Sequence, residues 1–447
     1  MKITELVLHP IAIADPPLRS SYGLHAPFAL RTIVELKTDS GLTGIAETYG
    51  GDGPLAGLEA VRPRVIGMDP FQLAGLWLDL ETSTAGHNTS SSVHKMPLAP
   101  GGRTQTYLVP GENPLDAHAR TFAAIEIACL DLIGKAVGKP VCDVIGGRVR
   151  NAVRFSAYLF YKHGGGGGLG DDVREDEYGE VLDPSACVRE CRQMIDQYGF
   201  KEIKLKGGVL DPDVETATIR ALRHEFGADY PLRIDPNCAW SVETSVRVGR
   251  DLKSELSGGG YLEDPCAALE GMAEVHRLLV AENNHTPLAS NVAVTCFGDV
   301  PRARDLAAVQ IVLSDPHYWG GLRQVQYLSQ LASVLGMGLS MHSNSHLGIS
   351  LMAMTHAAAA CPNLTYACDT HYPWQTAKDE VVEGGRIPFV DGSVRIPDRP
   401  GLGVSLDYDQ VARGRERYRK IPYRKRDDEA EMRKHVDSGW KRVLPRW

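Results

Sequence analysis

The sequence predicts an α/β barrel of the TIM type, preceded by a smaller α+β unit. From about residue 154 to about residue 376, short apolar runs recur at intervals that leave room for a helix, and several of them end in an oxygen-bearing side chain. In a parallel barrel the carboxyl ends of the strands converge on one site. The first third contains a hairpin pattern followed by a long helical pattern instead. A chain of 447 residues can hold both units.

The order of these patterns divides the chain into three expected regions. Alternating apolar residues over 32–37 and 43–47 predict a β-hairpin, and the apolar spacing over 119–135 predicts a helix. The strand and helix alternation of the barrel then begins after the glycine pair at 146–147. We expect an α+β domain over 1–145, a barrel with the catalytic site over 146–380, and a segment over 381–447 that returns to the first domain.

A strand-like segment over 201–206 carries two lysines at a spacing of two. Strand alternation sends Lys204 and Lys206 to one face, and Ile203 and Leu205 to the other. Two close ammonium groups repel, and burial lowers the pKa of a lysine further, so that one of them could act as a base near neutral pH. Alone, the motif is more typical of an exposed edge strand. The residues that follow favour the catalytic interpretation.

Three later strand-like runs end in oxygen-bearing side chains. Asp235, Glu263 and Asn291 each close such a run, so they would meet at the carboxyl end of a barrel. Three hard oxygen ligands, two of them charged, suit Mg²⁺. Each motif alone is more typical of a turn or a helix cap. Their regular order after the lysine strand favours the metal interpretation.

Two further runs, on consecutive predicted strands, deliver an aspartate and a histidine. A histidine that is hydrogen-bonded to a carboxylate is oriented, and its pKa is raised enough to serve as an acid or a base. We expect Asp315 and His342 to form such a pair at the same end of the barrel. A helix-capping aspartate and a structural histidine are the alternatives.

Composition and charge argue against several classes of partner. The net charge of −8 provides no field that attracts nucleic acid or an anionic membrane, and no apolar run reaches membrane-spanning length. The nine cysteines are odd in number and lack zinc spacing, which indicates reduced thiols. The first residues run directly into a strand pattern without a signal peptide. We expect a soluble, cytoplasmic protein that binds neither nucleic acid nor membrane.

A glycine tract over 164–170 contains a G-x-G-x-x-G match after a predicted strand. The acidic stretch at 171–176, rather than an apolar helix, follows it, so no dinucleotide site is predicted. We interpret the tract as a mobile loop at the mouth of the site that could help to close it.

Short segments along the whole chain match the pattern of a known family. They are residues 25–28, 101–103, 105–107, 158–160, 198–200, 204–210, 235–237, 263–266, 314–317, 342–344, 369–371, 374–375 and 426–428. With these segments the chain resembles the enolase superfamily, in its mandelate-racemase-like branch, and within that branch the glucarate-dehydratase group. An asparagine as third metal ligand, at Asn291, also points to that group.

The resemblance implies a fold, a reaction and a cofactor. The fold would be an α+β N-terminal capping domain on a modified (β/α)7β barrel. The reaction would be the Mg²⁺-dependent loss of water from an acid sugar, D-glucarate or its epimer L-idarate, to give 5-dehydro-4-deoxy-D-glucarate. The partner would be a small diacid sugar, and the chain would form a homo-oligomer, as relatives commonly assemble.

The resemblance also implies roles for individual residues. Lys206 and His342 would be the two bases, and Asp315 would orient His342. Lys204 and Asn237 would donate to the negative charge that develops on the substrate. The metal ligands would be Asp235, Glu263 and Asn291. The substrate contacts would be His25, Thr106, Tyr158, Ser343, Asn344, His371 and Arg426.

The chain departs from the family pattern at three places. Thr48-Tyr49 stands where an Ile-Pro pair is expected, the glycines at 258–260 are additional, and the spacing after Cys266 makes Glu270 a rival to Glu263 as ligand. Two alternatives therefore stay open within the family. The protein could dehydrate galactarate or another hexarate, or it could be a weakly active glucarate-dehydratase-related protein. A racemase or cycloisomerase that uses the same bases, and a non-catalytic sugar-acid binding protein, are the alternatives from other classes.

Overall fold

The computed structural model describes the backbone of residues 1–85, 94–97, 104–107 and 114–447, and the side chains of residues 1–80 and 118–447. One continuous apolar core runs through these residues, from the first sheet into the barrel. Within the described residues, no helix has the length and apolar character needed to cross a membrane.

The first region combines a three-stranded antiparallel sheet with helices, as the hairpin and helix patterns predict. In chain order its elements are β1 (Ile3–Ala14), β2 (Arg19–Ser20), β3 (Gly23–Leu24), β4 (Phe28–Thr38), β5 (Thr43–Tyr49), α1 (Asp52–Val65), α2 (Leu73–Ala85), β6 (His94–Pro97), β7 (Thr104–Tyr107), α3 (Pro114–Val137) and α4 (Val141–Val144).

The sheet has the strand order β1-β4-β5, with Thr32 opposite Thr48 and Leu36 opposite Gly44. The predicted hairpin is therefore confirmed. The predicted helix is confirmed as α3, which is longer at both ends than its apolar pattern indicated. It packs closely on β5 because Gly44 has no side chain: a Cβ there would lie 2.1 Å from the carbonyl oxygen of Ala128.

The second region contains a parallel sheet whose strands alternate with helices. Its elements are β8 (Ala152–Arg154), β9 (Ala157–Phe160), α5 (Pro184–Tyr198), β10 (Ile203–Lys206), α6 (Pro212–Phe226), β11 (Leu232–Asp235), α7 (Val242–Asp251), β12 (Tyr261–Glu263), α8 (Leu269–Ala281), β13 (Leu288–Ser290), α9 (Asp299–Asp305), β14 (Ile311–Ser314), α10 (Pro316–Trp319), α11 (Leu322–Val334), β15 (Gly338–Met341) and α12 (Gly348–Ala359).

Seven parallel strands, β9 to β15, lie side by side in chain order. The segment after α12 closes this sheet into a barrel. On one side the backbone N–H of Asp369 donates to the Met341 carbonyl at the end of β15 (2.8 Å). On the other side the Cys368 N–H donates to the Arg154 carbonyl (3.0 Å), and the Cys368 carbonyl accepts from the Ser156 N–H (2.9 Å). Seven strand–helix units and one closing segment confirm the predicted modified (β/α)7β barrel.

The third region contacts the first sheet. It contains β16 (Ser393–Arg395), α13 (Tyr408–Lys420) and α14 (Asp428–His435). Arg417 Nε, on α13, donates to the carbonyl of Ala12 in β1 (2.9 Å), and the Tyr423 hydroxyl donates to the carbonyl of Phe28 in β4 (2.9 Å). The region boundaries at residues 145 and 380 stay predictions.

The glycine tract packs tightly rather than standing clear of the protein. A Cβ on Gly166, Gly167 or Gly168 would lie 2.0–2.2 Å from a backbone carbonyl oxygen; for Gly167 that oxygen belongs to Asp15. Just after the tract, Arg174 makes a two-pronged ion pair with buried Asp379, at 2.8 and 3.0 Å. The tract is glycine-rich because three backbone segments meet there: the tract itself, the segment at Asp15 and residues 172–175. The sequence pattern did not reveal this reason.

Candidate active site

A cavity of about 580 Å³ opens at the carboxyl ends of the barrel strands, beneath the first region and the tail. Strand alternation and the parallel order deliver most predicted site residues there, because each follows or ends a strand. The predicted residues that line the cavity are His25, Tyr158, Lys206, Asn237, Asn291, His342, Ser343, Asn344, His371 and Arg426. Lys204, Asp235, Glu263 and Asp315 are buried behind this surface.

The two lysines of β10 face a cluster of carboxylates. Lys206 Nζ lies 2.6 Å from Asp235 Oδ2 on the neighbouring strand β11. Lys204 Nζ lies 2.6 Å from Glu263 Oε2 and 2.6 Å from Asp369 Oδ2, and 3.7 Å from Asp235 Oδ2. Asp369, on the closing segment, therefore completes a buried charge cluster that the sequence patterns did not assign.

This cluster changes the expected protonation of one lysine. Burial lowers the pKa of Lys204, but the adjacent carboxylates of Asp369 and Glu263 outweigh it and hold the pKa well above the usual value. The expectation that mutual repulsion would make a neutral base does not apply to Lys204. It is a fixed positive charge, whereas Lys206 is the lysine that lines the cavity.

The predicted metal ligands contain buried oxygens without partners. Glu263 and Asn291 come from β12 and the end of β13, and Asn291 Oδ1 has no hydrogen-bond partner among the described residues. Neither oxygen of Glu263 accepts a hydrogen bond of normal geometry from these residues, although Oε2 lies close to Lys204. Buried acceptors left unpaired are costly unless a cation satisfies them. The donor set of two carboxylates and one amide oxygen fits Mg²⁺.

Two neighbouring acidic residues do not belong to this set. Asp264 accepts from Ser290 Oγ (2.5 Å) and from the backbone N–H of Asn291 (2.9 Å), so that it shapes the turn that presents Asn291. Glu270 lies in the first turn of α8, exposed, in an ion pair with Arg302. The unusual spacing after Cys266 suggested Glu270 as a rival metal ligand. In the structure, Glu270 instead lies at the start of a helix on the protein surface. In the part of the chain that the structure describes, no group of three or more His, Cys, Asp or Glu side chains could hold a metal ion, and the predicted set contains only two such residues beside Asn291.

Asp315 binds two histidines. His342 Nδ1 lies 3.2 Å from Asp315 Oδ2, and His317 Nδ1 lies 2.8 Å from Oδ1, which also accepts from the His317 backbone N–H. Burial raises the pKa of the Asp315 carboxyl, but His317 and His342 outweigh it and hold the pKa far below its usual range. The expected Asp315 and His342 contact is present, and Asp315 also caps α10. His317 faces away from the cavity, towards Ser350 and the carbonyl of Glu47.

Tyr49 reaches this pair from the end of β5. Its hydroxyl lies 3.4 Å from Asp315 Oδ2 and accepts from Asn344 Nδ2 at 3.2 Å. Asn344 also donates to the hydroxyl of Tyr318 (3.2 Å), whose ring stacks on that of Tyr49 at 5.1 Å. Tyr49, one of the departures from the family pattern, therefore contacts Asp315, the partner of the predicted base His342, and Asn344, a predicted substrate contact.

The remaining predicted contacts cluster on two walls. The Tyr158 ring lies 4.8 Å from Lys204 Nζ, and its hydroxyl lies 3.4 Å from Asp235 Oδ2. Ser343 Oγ lies 2.9 Å from His371 Nδ1. Burial, together with neighbouring cationic groups, lowers the pKa of His371 well below its usual value, so it is neutral. Thr106 lies in β7, and its side chain is outside the described residues.

Asn237 follows β11 in a left-handed backbone conformation, with φ of 52°. Its Oδ1 accepts from Ser21 Oγ (3.1 Å), and so does its own carbonyl (3.0 Å). With Oδ1 used in this way, the amide N–H groups are what Asn237 offers to a ligand. Ser21 comes from the first region, so the capping domain orients a residue of the barrel site.

The functional residues that sequence reasoning missed have one property in common. Asp15, Ser21, His317 and Asp369 contact predicted site residues, and Ser345 contacts Asp15; all five lie outside the cavity surface. Of these, His317 had a signal, because it lies two residues after Asp315. The others depend on contacts between distant segments.

Comparison with known proteins agrees with this geometry. Residues 186–411 match the family described as enolase C-terminal domain-like. The chain is 42% identical to a probable glucarate dehydratase of Streptomyces coelicolor, over 100% of this chain and 99% of that protein. It is 27% identical to a D-xylonate dehydratase of Haloferax volcanii, over 85% of this chain and 84% of that protein.

A solved structure is similar over the whole chain. An enolase from Pseudomonas fluorescens, crystallised with magnesium, potassium and tartrate, is 45% identical, with a TM-score of 0.90 over 100% of this chain and 99% of that one. The shared barrel, the matched family domain and the full-length likeness lead to one conclusion. The chain is an enzyme of the enolase superfamily.

Proposed function

We propose that the protein is a Mg²⁺-dependent hydro-lyase that removes water from an acid sugar, with D-glucarate as the preferred substrate. The observation that carries this proposal is the pairing of Lys206 with Asp235 on one wall and of His342 with Asp315 on another, around one cavity. In a ring of seven strands and a closing segment, β10 and β15 are three positions apart, on nearly opposite walls. A substrate between them would have a base on each face.

Asp235, Glu263 and Asn291 would hold the metal ion. When bound, Mg²⁺ would supply positive charge at the substrate carboxylate, which makes the neighbouring C–H bond more acidic. Two observations support this assignment. Glu263 Oε1 and Asn291 Oδ1 have no hydrogen-bond partner among the described residues, and the Pseudomonas fluorescens enolase was crystallised with magnesium.

Lys206 would take the proton from the carbon next to the carboxylate. Its Nζ lies at the cavity surface, and the contact with Asp235 would hold the proton on that nitrogen after transfer. The enediolate formed carries extra negative charge, which must be stabilised as it develops. Lys204, with its raised pKa, would contribute a fixed positive charge, and Asn237 would donate from its amide nitrogen.

His342 would act on the other face. With its Nδ1 hydrogen bonded to Asp315, its Nε2 is free to exchange a proton with the substrate. There it would abstract the proton of the opposite epimer, or protonate the departing β-hydroxyl as water leaves. The product would be 5-dehydro-4-deoxy-D-glucarate.

The second carboxylate of the substrate would meet His25 and Arg426, which line the cavity from the first region and the tail.

All nine cysteines are described and none forms a disulfide, which supports a reducing, cytoplasmic location. We also propose a homo-oligomer, in line with the family resemblance.

The deciding experiment is a turnover screen of the purified protein with all hexarate diastereomers and the related hexonates, with Mg²⁺ and with a chelator. A dehydratase forms an α-keto acid, which a chemical assay detects, and requires Mg²⁺. Epimerised or lactonised substrate without keto acid would indicate a racemase or cycloisomerase instead. Binding of Mg²⁺ and diacid without turnover would indicate a binding protein.

A further inference from the structure

Asp15 joins three separate segments of the cavity wall. It follows β1 and is completely buried, with 0% exposure. Its Oδ2 accepts from His25 Nδ1 (3.1 Å) and from Arg426 Nη1 (3.2 Å), and Ser345 Oγ lies 3.1 and 3.2 Å from its two oxygens. The first region, the tail and the loop after β15 therefore meet at one carboxylate.

The chemistry of Asp15 suits a role that acts through its neighbours. Burial raises the pKa of a carboxyl, but His25 and Arg426 outweigh it here and hold the pKa of Asp15 below its usual value, so it is ionised. An ionised carboxylate only accepts, and each hydrogen bond that it receives restricts the donor. Two of its donors, His25 and Arg426, line the cavity, whereas Asp15 does not.

We infer that Asp15 is a positioning residue that fixes His25 and Arg426 for recognition of the second carboxylate of an acid-sugar substrate. This inference rests on the proposed function. Without Asp15, the Arg426 guanidinium would keep, among the described residues, only its ion pair with Asp428, which lies 2.8 Å from its Nε. Its direction towards the cavity would then be set by the tail alone. The expected consequence is weaker recognition of a diacid, with little change in the chemical step.

The test is Asp15→Asn, measured by steady-state kinetics with the preferred hexarate and by inhibition with the matching hexonate, which lacks the second carboxylate. An asparagine offers one acceptor oxygen and one NH₂ group, so it cannot accept from all the donors that Asp15 binds. We expect KM for the hexarate to rise about tenfold or more, with kcat within about threefold and the hexonate inhibition constant unchanged. A fall in kcat at unchanged KM would overturn the inference.

Two further variants separate positioning from stability. Asp131 is a matched control: it is also 0% exposed and accepts from Lys135 Nζ (2.6 Å) and from two backbone N–H groups, but it lies away from the cavity. Asp131→Asn should lower the melting temperature without changing the ratio of hexarate KM to the hexonate inhibition constant. A similar change of this ratio in both variants would overturn the inference.

Ser345→Ala keeps the experiment decisive if Asp15→Asn does not fold. It removes one of the hydrogen bonds that hold the Asp15 carboxylate and keeps the side chains of His25 and Arg426. Asp15 would then fix these two residues less firmly, so hexarate KM should rise by roughly two- to fivefold. No rise would contradict the positioning role. The wild-type protein is assayed first: absence of turnover with every acid sugar refutes the proposed function and this inference with it, whereas an active wild type with unchanged KM in the variants refutes the inference alone.

Discussion

His317 is bound more closely to Asp315 than the predicted base is: its Nδ1 lies 2.8 Å from Asp315 Oδ1, against 3.2 Å for His342 and Oδ2. The Asp315 carboxylate thus binds two histidines: His342, which faces the cavity, and His317, which faces the protein interior. His317 holds the carboxylate in place, and this leaves Oδ2 directed towards His342.

The first prediction concerns the two faces of the substrate. Lys206→Ala should lose exchange of the substrate α-proton with solvent deuterium for one epimer at the reacting carbon, and His342→Asn should lose it for the other, because the two proposed bases lie on different walls. NMR of each epimer in deuterium oxide measures this. Equal residual exchange of both epimers in both variants would exclude the two-base scheme.

The second prediction concerns the metal. Asp235→Ala or Glu263→Ala should abolish Mg²⁺ binding in calorimetry and abolish turnover, because each would remove a charged ligand of the proposed metal site. Glu270→Ala is the control, since Glu270 is exposed and pairs with Arg302 on the surface. It should bind Mg²⁺ as the wild type does. Loss of binding in Glu270→Ala with binding kept in Glu263→Ala would mean that the wrong carboxylate had been assigned.

The third prediction concerns the tail. Arg426→Lys should lower kcat/KM for glucarate by about ten- to a hundredfold, the roughly 1.5–3 kcal/mol expected of a charged hydrogen bond. Arg424→Lys is not a silent comparison, because Arg424 Nη1 donates to the carbonyls of Ile421 and Tyr423 (2.7 and 2.8 Å). That variant should lose stability instead.

The control for Arg426→Lys is therefore Arg433→Lys on α14, where the exposed guanidinium pairs with Glu429. Steady-state kinetics should show no effect of this change. Equal, small effects of Arg426→Lys and Arg433→Lys would mean that another group binds the far end of the substrate.

The fourth prediction concerns the glycine tract. Gly167→Ala should destabilise the protein strongly, because φ is +83° and the new Cβ would lie 2.2 Å from the Asp15 carbonyl oxygen. Gly164→Ala is the matched control, since a Cβ there meets nothing within 4 Å. Thermal unfolding should separate the two variants clearly. If both melt like the wild type, the tract is a flexible loop, as its composition first indicated.

The fifth prediction concerns pH. His356 is buried as a neutral ring, with Nδ1 accepting from Cys142 N–H (3.2 Å) and Nε2 donating to the Leu402 carbonyl (3.1 Å). Burial lowers its pKa from 6.5 to about 4. The unfolded chain therefore binds more protons between these values, so the contribution of His356 is present above pH 6.5 and is lost as the pH falls towards 4. The loss is on the order of 3 kcal/mol.

His356→Gln removes this titration and should lower the free energy of unfolding at pH 7.5. The difference between wild type and variant should then shrink between pH 6.5 and pH 4 in denaturant titrations. A difference that stays constant over this window would show that His356 does not titrate as inferred.

The sequence alone determined where the strands end and which side chains they deliver. Alternation put Lys204 and Lys206 on one face, and the parallel order put Asp235, Glu263 and Asn291 at the same end of the barrel. These are local patterns with a fixed period, so they can be read from neighbouring residues.

Only the tertiary structure decided which groups hold the site residues in place. Arg426 and Asp15 are 411 positions apart in the sequence, and Lys204 and Asp369 are 165 apart. It also decided that Glu270 is a surface residue. Such contacts follow from the closure of the barrel and the return of the tail, which bring together segments whose separation in the sequence carries no periodic signal.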